Sequence, residues 1–362
     1  MNNYYVLGIE TSCDDTSVAI IKETDQTVEV LSHLKFGQEE ILKVWGGVVP
    51  EIAARNHLEK ITPLIKEALS KACLEMSDIN LLAVTTLPGL LGPLLTGVNA
   101  AKTLSLIHQI PIFPVNHLYA HLEAIHLTEK VNYPYLGLLI SGGHSIYFWV
   151  ENSSSFLVLG STIDDAAGEA FDKGGKILNL GYPAGHIIDK LAKFGNPHSY
   201  EFPIGLKSSA DARLSFSGLK TSLRVFLEKN TNILKLKPTQ FETPEPESQA
   251  FYDVCASYQN AITTALLLKL RYAIKKVKMK TNIPKDFSIV LGGGVACNTH
   301  IRSEFLKKYP NSKFVAPHFC TDNGAMIANY ARLEKKQAVA FPESLKLDAK
   351  GRFINKKDFI NE

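Results

Sequence analysis

Two histidines, His117 and His121, stand four residues apart in the segment His117-Leu-Tyr-Ala-His121. On a helix, one turn brings both imidazoles to the same face, where they suit a single divalent metal. The same spacing also occurs in pairs of surface or core histidines that bind nothing. A hydrolytic HExxH motif would need a glutamate directly after the first histidine, and Leu118 stands there instead. A third ligand has to come from elsewhere, and Asp322, in the turn Cys320-Thr321-Asp322-Asn323-Gly324, is the best placed acid.

Glycine turns at expected strand ends form a second set: Ser141-Gly142-Gly143-His144, Gly174-Gly175 and Gly292-Gly293-Gly294. Glycine lets backbone approach a ligand closely, and a helix that follows offers unpaired N–H groups to an anion. A tight turn explains any one of them, whereas three in matching positions favour a nucleotide phosphate site. None matches GxxxxGK[ST] or GxGxxG, which leaves P-loop and dinucleotide-binding readings unsupported. The hydroxyl-rich loop Glu10-Thr11-Ser12-Cys13-Asp14-Asp15-Thr16 could hold phosphate, with its acids serving a metal-bound water or acting as a base; an ordinary hairpin loop is the alternative. Asp164-Asp165 and the Glu169/Lys173 pair read as a helix start with an i,i+4 ion pair, while Asp172 could face a ligand. Lys269, Arg271, Lys275, Lys276, Lys278, Lys280 and Lys285 form a basic run without an acid, more simply a solvated helix face than a nucleic-acid contact.

The elements that must position these groups follow from hydrophobic period and turn residues. Strands are expected at Tyr4–Ile9, Ser17–Ile21, Val28–Leu34, Leu81–Thr86 and Ile112–Val115, with helices at Pro50–Cys73, Leu95–His108 and His117–His126. A second series opens with strands at Tyr135–Ser141, Ser145–Val150 and Ser155–Gly160. Helices Ala166–Leu178, Gly185–Phe194 and Gln249–Val277 follow, then strands Phe287–Leu291 and Lys313–Ala316 and helix Gly324–Glu334. Asn230–Ser248 reads as a surface loop, and the last residues, without periodicity, as a loosely packed tail. Each half opens with a meander and moves into βα units, so the pattern predicts a duplicated α/β architecture with a cleft between two lobes. The division is lobe I at 1–115, completed by 318–345, lobe II at 116–317 and a tail at 346–362.

Composition sets outer bounds. The chain has 362 residues, enough for two lobes, and 45% hydrophobic with 21% charged residues excludes wholesale disorder. A net charge of +3 is not that of a dedicated nucleic-acid domain, although it leaves room for a local basic patch. No signal-peptide pattern opens the sequence, and no apolar run approaches the ~20 residues that cross a bilayer. Cys13, Cys73, Cys255, Cys297 and Cys320 are scattered without a CxxC pair, as in a reduced cytosolic protein.

Read in order, GIETSCDDTSVAI, GGVVPEIAARNH, PGLLGPLLTGVNAAKTLS, PVNHLYAHLEA, LISGGHS, DDAAGEAFDKGGKIL, YPAGHIID, SFSGLKT, LGGGVACN and CTDNGAMIA resemble the tRNA N6-adenosine threonylcarbamoyltransferase family of the bacterial TsaD type, once called O-sialoglycoprotein endopeptidases. The resemblance runs from Val6 to about Arg332. It implies an actin-like, sugar-kinase-like fold with a nucleotide cleft between two lobes. It also implies transfer of a threonylcarbamoyl group from L-threonylcarbamoyladenylate to N6 of the adenosine 3′ of the tRNA anticodon, with release of AMP. Metal ligands would be His117, His121 and Asp322, holding one divalent ion, Fe2+ first and Zn2+ as the alternative. Contacts to the adenylate, or to ATP or AMP, would come from Leu139, Ile140, Ser141, Gly142, Gly143, Asp172, Gly185, Asp189 and Asn298. Asp14 is the candidate general base. Expected partners are tRNA, a paralogous TsaB-type subunit and a TsaE-type ATPase, in the cytoplasm and without a membrane.

The sequence departs from the family's pattern at Leu87 and Pro93, where many relatives carry glycine and a small residue, and in the length of Asn230–Ser248. Leu139 fits bacterial members, because archaeal relatives tend to place a metal-binding tyrosine there. Three other readings compete: a small-molecule kinase of the same fold class, a metalloprotease, and a non-catalytic scaffold. Magnesium-dependent phosphoryl transfer calls for acids rather than imidazoles, which counts against the kinase.

Overall fold

The computed structural model describes residues 3–25, 27–45, 48–279, 284 and 286–352. They form two compact units. The first comprises the described residues of Met1–Val131, Asn152–Phe156 and Val315–Lys357, the second those of Asn132–Glu151 and Leu157–Phe314.

In the first unit, β1 (Tyr4–Glu10), β2 (Thr16–Glu23) and β3 (Val28–Phe36) form an antiparallel meander. β4 (Leu81–Leu87) and β5 (Ile112–Asn116) add parallel strands on its other side, giving the order β3-β2-β1-β4-β5. β1 and β4 are central, which accounts for their near-continuous apolar runs. After the short α1 (Glu39–Leu42), α2 (Pro50–Ala72) begins with the expected proline in its first turn and ends where Cys73 turns left-handed. α3 (Leu91–His108) starts four residues earlier than the period suggests. Pro93 lies in its first turn, where a missing N–H leaves no helix bond unmade. α4 (His117–Glu123) follows β5 directly.

The chain returns to this unit through α10 (Pro317–Cys320) and α11 (Gly324–Leu333). α11 lies against β1 and β2 at very short range. A Cβ on Gly8 would stand 2.2 Å from the Gly324 carbonyl oxygen, and one on Gly324 2.6 Å from the Ala19 nitrogen. Asn329 Nδ2 donates to the Glu123 carbonyl, joining α11 to α4.

The second unit repeats the plan. β6 (Tyr135–Ile140), β7 (Ser145–Asn152) and β8 (Ser155–Ser161) open it, and β9 (Ile289–Gly292) and β10 (Ser312–Phe314) complete the order β8-β7-β6-β9-β10. Its helices are α5 (Ala167–Ile177), α6 (Gly185–Ala192), α7 (Ser217–Lys229), α8 (Gln249–Lys278) and α9 (Thr299–Lys308). The duplicated α/β design read from the sequence is therefore present strand for strand.

Three expectations need correction. α7 had no counterpart in the sequence reading. Gly174-Gly175 is not a turn: both residues lie inside α5, where a Cβ would strike the Tyr258 ring at 2.6 Å or the Ala184 Cβ at 2.0 Å, so they serve helix packing. The segment after α11 is no loose tail up to residue 352. Val339 pairs with Ile112 on the edge of β5, Ser344 is fully buried against Ser105, and Ala349 joins the apolar core. Asn230–Ser248 is, as expected, an exposed connection with two short turns of 3-10 helix. Among the described residues, no helix is long and apolar enough to cross a membrane.

Candidate functional site

The last residue of β1, Glu10, is fully buried, and its carboxylate is fixed from three sides. The Ser12 backbone N–H donates to Oε1 (2.6 Å), the Thr85 hydroxyl donates to Oε2, and His117 Nδ1 lies 3.1 Å from Oε2. A carboxylate can only accept, so His117 Nδ1 carries a proton, and Nε2 is the nitrogen turned the other way, where a metal would take the place of its proton. The Ser12 hydroxyl adds a contact to the same Nδ1 at 3.3 Å.

The start of α4 is set by Asn116, whose side chain accepts from the N–H groups of Leu118 and Tyr119. That cap makes His117 the first helical residue and puts His121 one turn on, facing the same way. Asp322 arrives from the turn between α10 and α11. Asn323 caps α11 by accepting from Met326 N–H, and its amide donates to Phe319 and Thr321 carbonyls. Gly324 N–H donates to the Ser17 hydroxyl and pins the turn to β2.

These elements converge three side chains. His117 Nε2 is 3.1 Å from His121 Nε2, which is 3.1 Å from Asp322 Oδ1, and His117 Nε2 is 3.6 Å from that oxygen. Atoms that each sit about 2.1 Å from one cation stand about 3.0–3.4 Å apart at octahedral or tetrahedral angles. The spacing therefore fits three ligands of one ion. Charge points the same way, because two carboxylates surround two imidazoles and a divalent cation would balance them. Burial works against a protonated His117, yet the carboxylates of Glu10 and Asp322 push its pKa up to about 9. Burial together with the neighbouring His117 pushes His121 down. Asp322 is held below the usual carboxylate range by both histidines despite its burial.

Around this centre the loop after β1 is rigidly held. His57, buried on α2, bridges it: Nε2 donates to the Cys13 carbonyl (3.0 Å), so Nδ1 accepts from the Thr16 hydroxyl (2.7 Å). Asp15 pairs with Lys35 at 2.5 Å, and burial, partly offset by that lysine, pushes its pKa up to about 7. Asp14 is half-buried beside the Cys13 thiol, and among the described residues no cation pairs with it. Burial and these acids push the Cys13 thiol far above its ordinary value. Neither Glu10 nor His57 was singled out in the sequence as a positioning residue.

In the second unit, Leu139 and Ile140 are buried at the end of β6, and Ser141–His144 is a tight turn with Ser141 N–H donating to the His144 carbonyl at 2.8 Å. The space where Gly142 and Gly143 would carry side chains is open. Gly168, at the start of α5, lies against this turn, and a Cβ there would be 2.6 Å from the Ser141 carbonyl oxygen. Gly293, at φ +89°, approaches the Ile140 carbonyl equally closely. Two of the three glycine motifs thus meet at one strand end. Asp172 accepts from Ala184 N–H (2.9 Å) and from Gly185 N–H at the start of α6; burial nevertheless raises its pKa. Asp189 accepts from Thr299 N–H (2.9 Å) and its hydroxyl (3.0 Å), next to Asn298, which caps α9 and donates to Gln259 (2.6 Å). Asp165 binds both Lys173 and Lys220, and the expected Glu169–Lys173 pair is present at 3.1 Å. The basic run loses Lys269, which is fully buried and donates to Leu206 and Ser209 carbonyls, while Lys280 and Lys285 fall outside the described residues.

A sequence model described as tRNA N6-adenosine threonylcarbamoyltransferase matches residues 29–329. The chain belongs to that family. A tRNA N6-adenosine threonylcarbamoyltransferase of Treponema denticola is 42% identical over 357 residues, covering 97% of this chain and 98% of the relative. The one of Anaeromyxobacter sp. (strain Fw109-5) is 42% identical over 330 residues, covering 89% and 92%. Among solved structures, component A of the (R)-2-hydroxyglutaryl-CoA dehydratase of Acidaminococcus fermentans superposes with a TM-score of 0.51 at 16% identity, over 91% of this chain and 99% of that one. This last likeness concerns the fold alone, and with the duplicated sheets it places the chain in the actin-like, sugar-kinase-like class. As a member of the transferase family the protein is an enzyme, an acyltransferase.

Proposed function

We propose that the protein transfers the threonylcarbamoyl group of L-threonylcarbamoyladenylate to N6 of the adenosine 3′ of the tRNA anticodon, releasing AMP. The observation that carries this reading is the convergence of His117, His121 and Asp322 within ligand distance of one ion in a chain of this family. Two imidazoles and one carboxylate suit Fe2+, with Zn2+ the alternative. Bound there, the ion would supply Lewis acidity to an oxygen of the acyl phosphate or carbamoyl group.

In the reaction the bond from the carbamoyl carbon to N6 forms, and the bond from that carbon to the phosphate oxygen breaks. AMP leaves with the electron pair, and N6 loses a proton. Exocyclic N6 is a poor nucleophile, so holding both reactants in place should supply much of the rate. Asp14 is our candidate for the acceptor of that proton, since Lys35 engages the other acid of the loop, Asp15. Leu139–Gly143 would meet the adenylate through backbone groups. Asp172, Gly185, Asp189 and Asn298 would hold its nucleoside: each Asp189 oxygen that accepts from Thr299 keeps a lone pair for a ribose hydroxyl.

A metalloprotease reading lacks the HExxH glutamate, because Leu118 follows His117 and is packed in the core. The reading also includes a paralogous TsaB-type subunit and a TsaE-type ATPase as partners, and the cytoplasm as the place of work. The test is to incubate the chain and these partners with synthetic adenylate and unmodified tRNA, and to assay the nucleoside by mass spectrometry. No modified adenosine in any partner combination contradicts the proposal.

A further inference from the structure

We infer that the segment 335–352, which returns across the first unit after α11, is a strap that positions the metal centre through the loop following β4. This rests on reading His117, His121 and Asp322 as metal ligands. The strap is anchored twice before it reaches the loop. Val339 and Ile112 exchange backbone hydrogen bonds at the edge of β5 (2.8 and 2.9 Å), and the buried Ser344 hydroxyl meets that of Ser105 on α3 at 2.8 Å. Leu347 and Ala349 then pack against the apolar core of the unit.

At its far end the strap bonds the loop. Lys350 N–H donates to the Thr86 carbonyl (2.8 Å), and Gly89 N–H donates to the Gly351 carbonyl (3.2 Å). The end of β4 and the loop after it meet the residues that support the metal centre from three directions. The Thr85 hydroxyl donates to Glu10, the Thr86 hydroxyl donates to the Val115 carbonyl two residues before His117 (3.3 Å), and Leu90 N–H donates to the Ser12 carbonyl (2.8 Å). The fit of loop on Ser12 is close, since a Cβ on Gly89 would lie 2.5 Å from the Ser12 carbonyl oxygen. Ser12 in turn donates its N–H to Glu10 and sets its hydroxyl against His117. Without the strap, the Thr86 carbonyl and the Gly89 N–H lose these partners, and the loop is free to leave the conformation that buttresses Glu10 and Ser12. Lys350 and Gly351 act through their backbone and touch neither metal nor substrate: they are positioning residues.

Three variants of the full chain test this: Lys350→Pro, which removes the N–H that Thr86 accepts; Lys350→Ala, which keeps it; and a chain ending at Lys346. For each, amide exchange at Gly89 and Leu90 and the Zn2+ dissociation constant, by competition with a chelator, are measured beside the melting temperature. Direct support of a metal ligand is worth about 10–100-fold in affinity, and a contact one step further out should show about 3–10-fold. We expect Lys350→Pro and the shortened chain to exchange Gly89 and Leu90 at least about 10-fold faster, with Zn2+ affinity down by that smaller factor. Lys350→Ala should behave as the unaltered chain. Unchanged exchange in Lys350→Pro, or faster exchange with unchanged Zn2+ affinity, overturns the inference, as does a loss in Lys350→Ala equal to that in Lys350→Pro. If the unaltered chain takes up no Zn2+ or Fe2+, the metal reading fails by itself; exchange at Leu90 and Ser12 then decides whether the strap holds the loop. Should the shortened chain not fold, Lys350→Pro carries the decision.

Discussion

Glu10 Oε2 lies 3.1 Å from His117 Nδ1, and that contact fixes which nitrogen of His117 is free for a metal. The two residues sit on different elements, one ending β1 and the other opening α4, so the tautomer is set by the fold and not by the local sequence. Replacing Glu10 should therefore act on the metal before it acts on anything else. Glu10→Ala is expected to weaken metal binding by about 10–100-fold, and Glu10→Gln, which keeps one acceptor oxygen, by less. Calorimetric titration of the metal into each variant checks the order.

Gly8 and Gly324 hold α11 against the sheet, and Asp322 is carried on that contact. Neither neighbouring atom can move alone, because Gly8 faces backbone atoms, the Gly324 carbonyl and the Ala328 nitrogen. Gly8→Ala should cost roughly 3 kcal/mol of stability, by overpacking, and should lower metal affinity in the protein that remains folded. Urea unfolding and metal titration on the same sample separate the two effects.

Asp164 accepts from the N–H groups of Phe216 and Ser217 and from the hydroxyls of Ser215 and Ser217, capping α7 from 52 residues earlier in the chain. Burial opposes its ionisation, but these hydrogen bonds hold its pKa below the usual value. A carboxylate with a depressed folded pKa stabilises the fold above its unfolded pKa, and that contribution is lost as pH falls through the folded value. Asp164→Ala should thus lower stability by about 1 kcal/mol at neutral pH, the ordinary worth of an exposed cap. The difference from the unaltered chain should shrink at pH 3 and below. Melting curves of both proteins across that range are the check.

The same cap shows why part of the molecule was illegible in the sequence. The regular elements with clear periods, β1 to β6 and helices α2, α3 and α8, were readable to within a few residues. So was the repeated order of the two sheets. α7 was not, because its first N–H groups are satisfied by Asp164 rather than by a residue just before it. The strap escaped for a related reason: backbone pairing at Val339 and Lys350 and single buried residues such as Ser344 and Ala349 leave no periodic signature. In the site, His117, His121 and Asp322 could be proposed from residue type and spacing. Glu10 and His57 could not be ranked, because what makes them matter is a neighbour on another element. Lys269 looked like part of a basic surface, but its position on the buried face of α8 turns it inward to the Leu206 and Ser209 carbonyls.

The proposed threonylcarbamoyl transfer depends on His117, His121 and Asp322 serving one metal. The most direct measurement compares the unaltered chain with the His117→Ala/His121→Ala double variant in the tRNA assay, after both are shown to be folded by circular dichroism. Bound metal is determined on the same preparations by elemental analysis. The unaltered chain should hold about one metal ion per subunit and form N6-threonylcarbamoyladenosine, while the double variant should hold none and lose the activity by at least about three orders of magnitude. A folded double variant that still modifies tRNA at the unaltered rate would contradict the central claim.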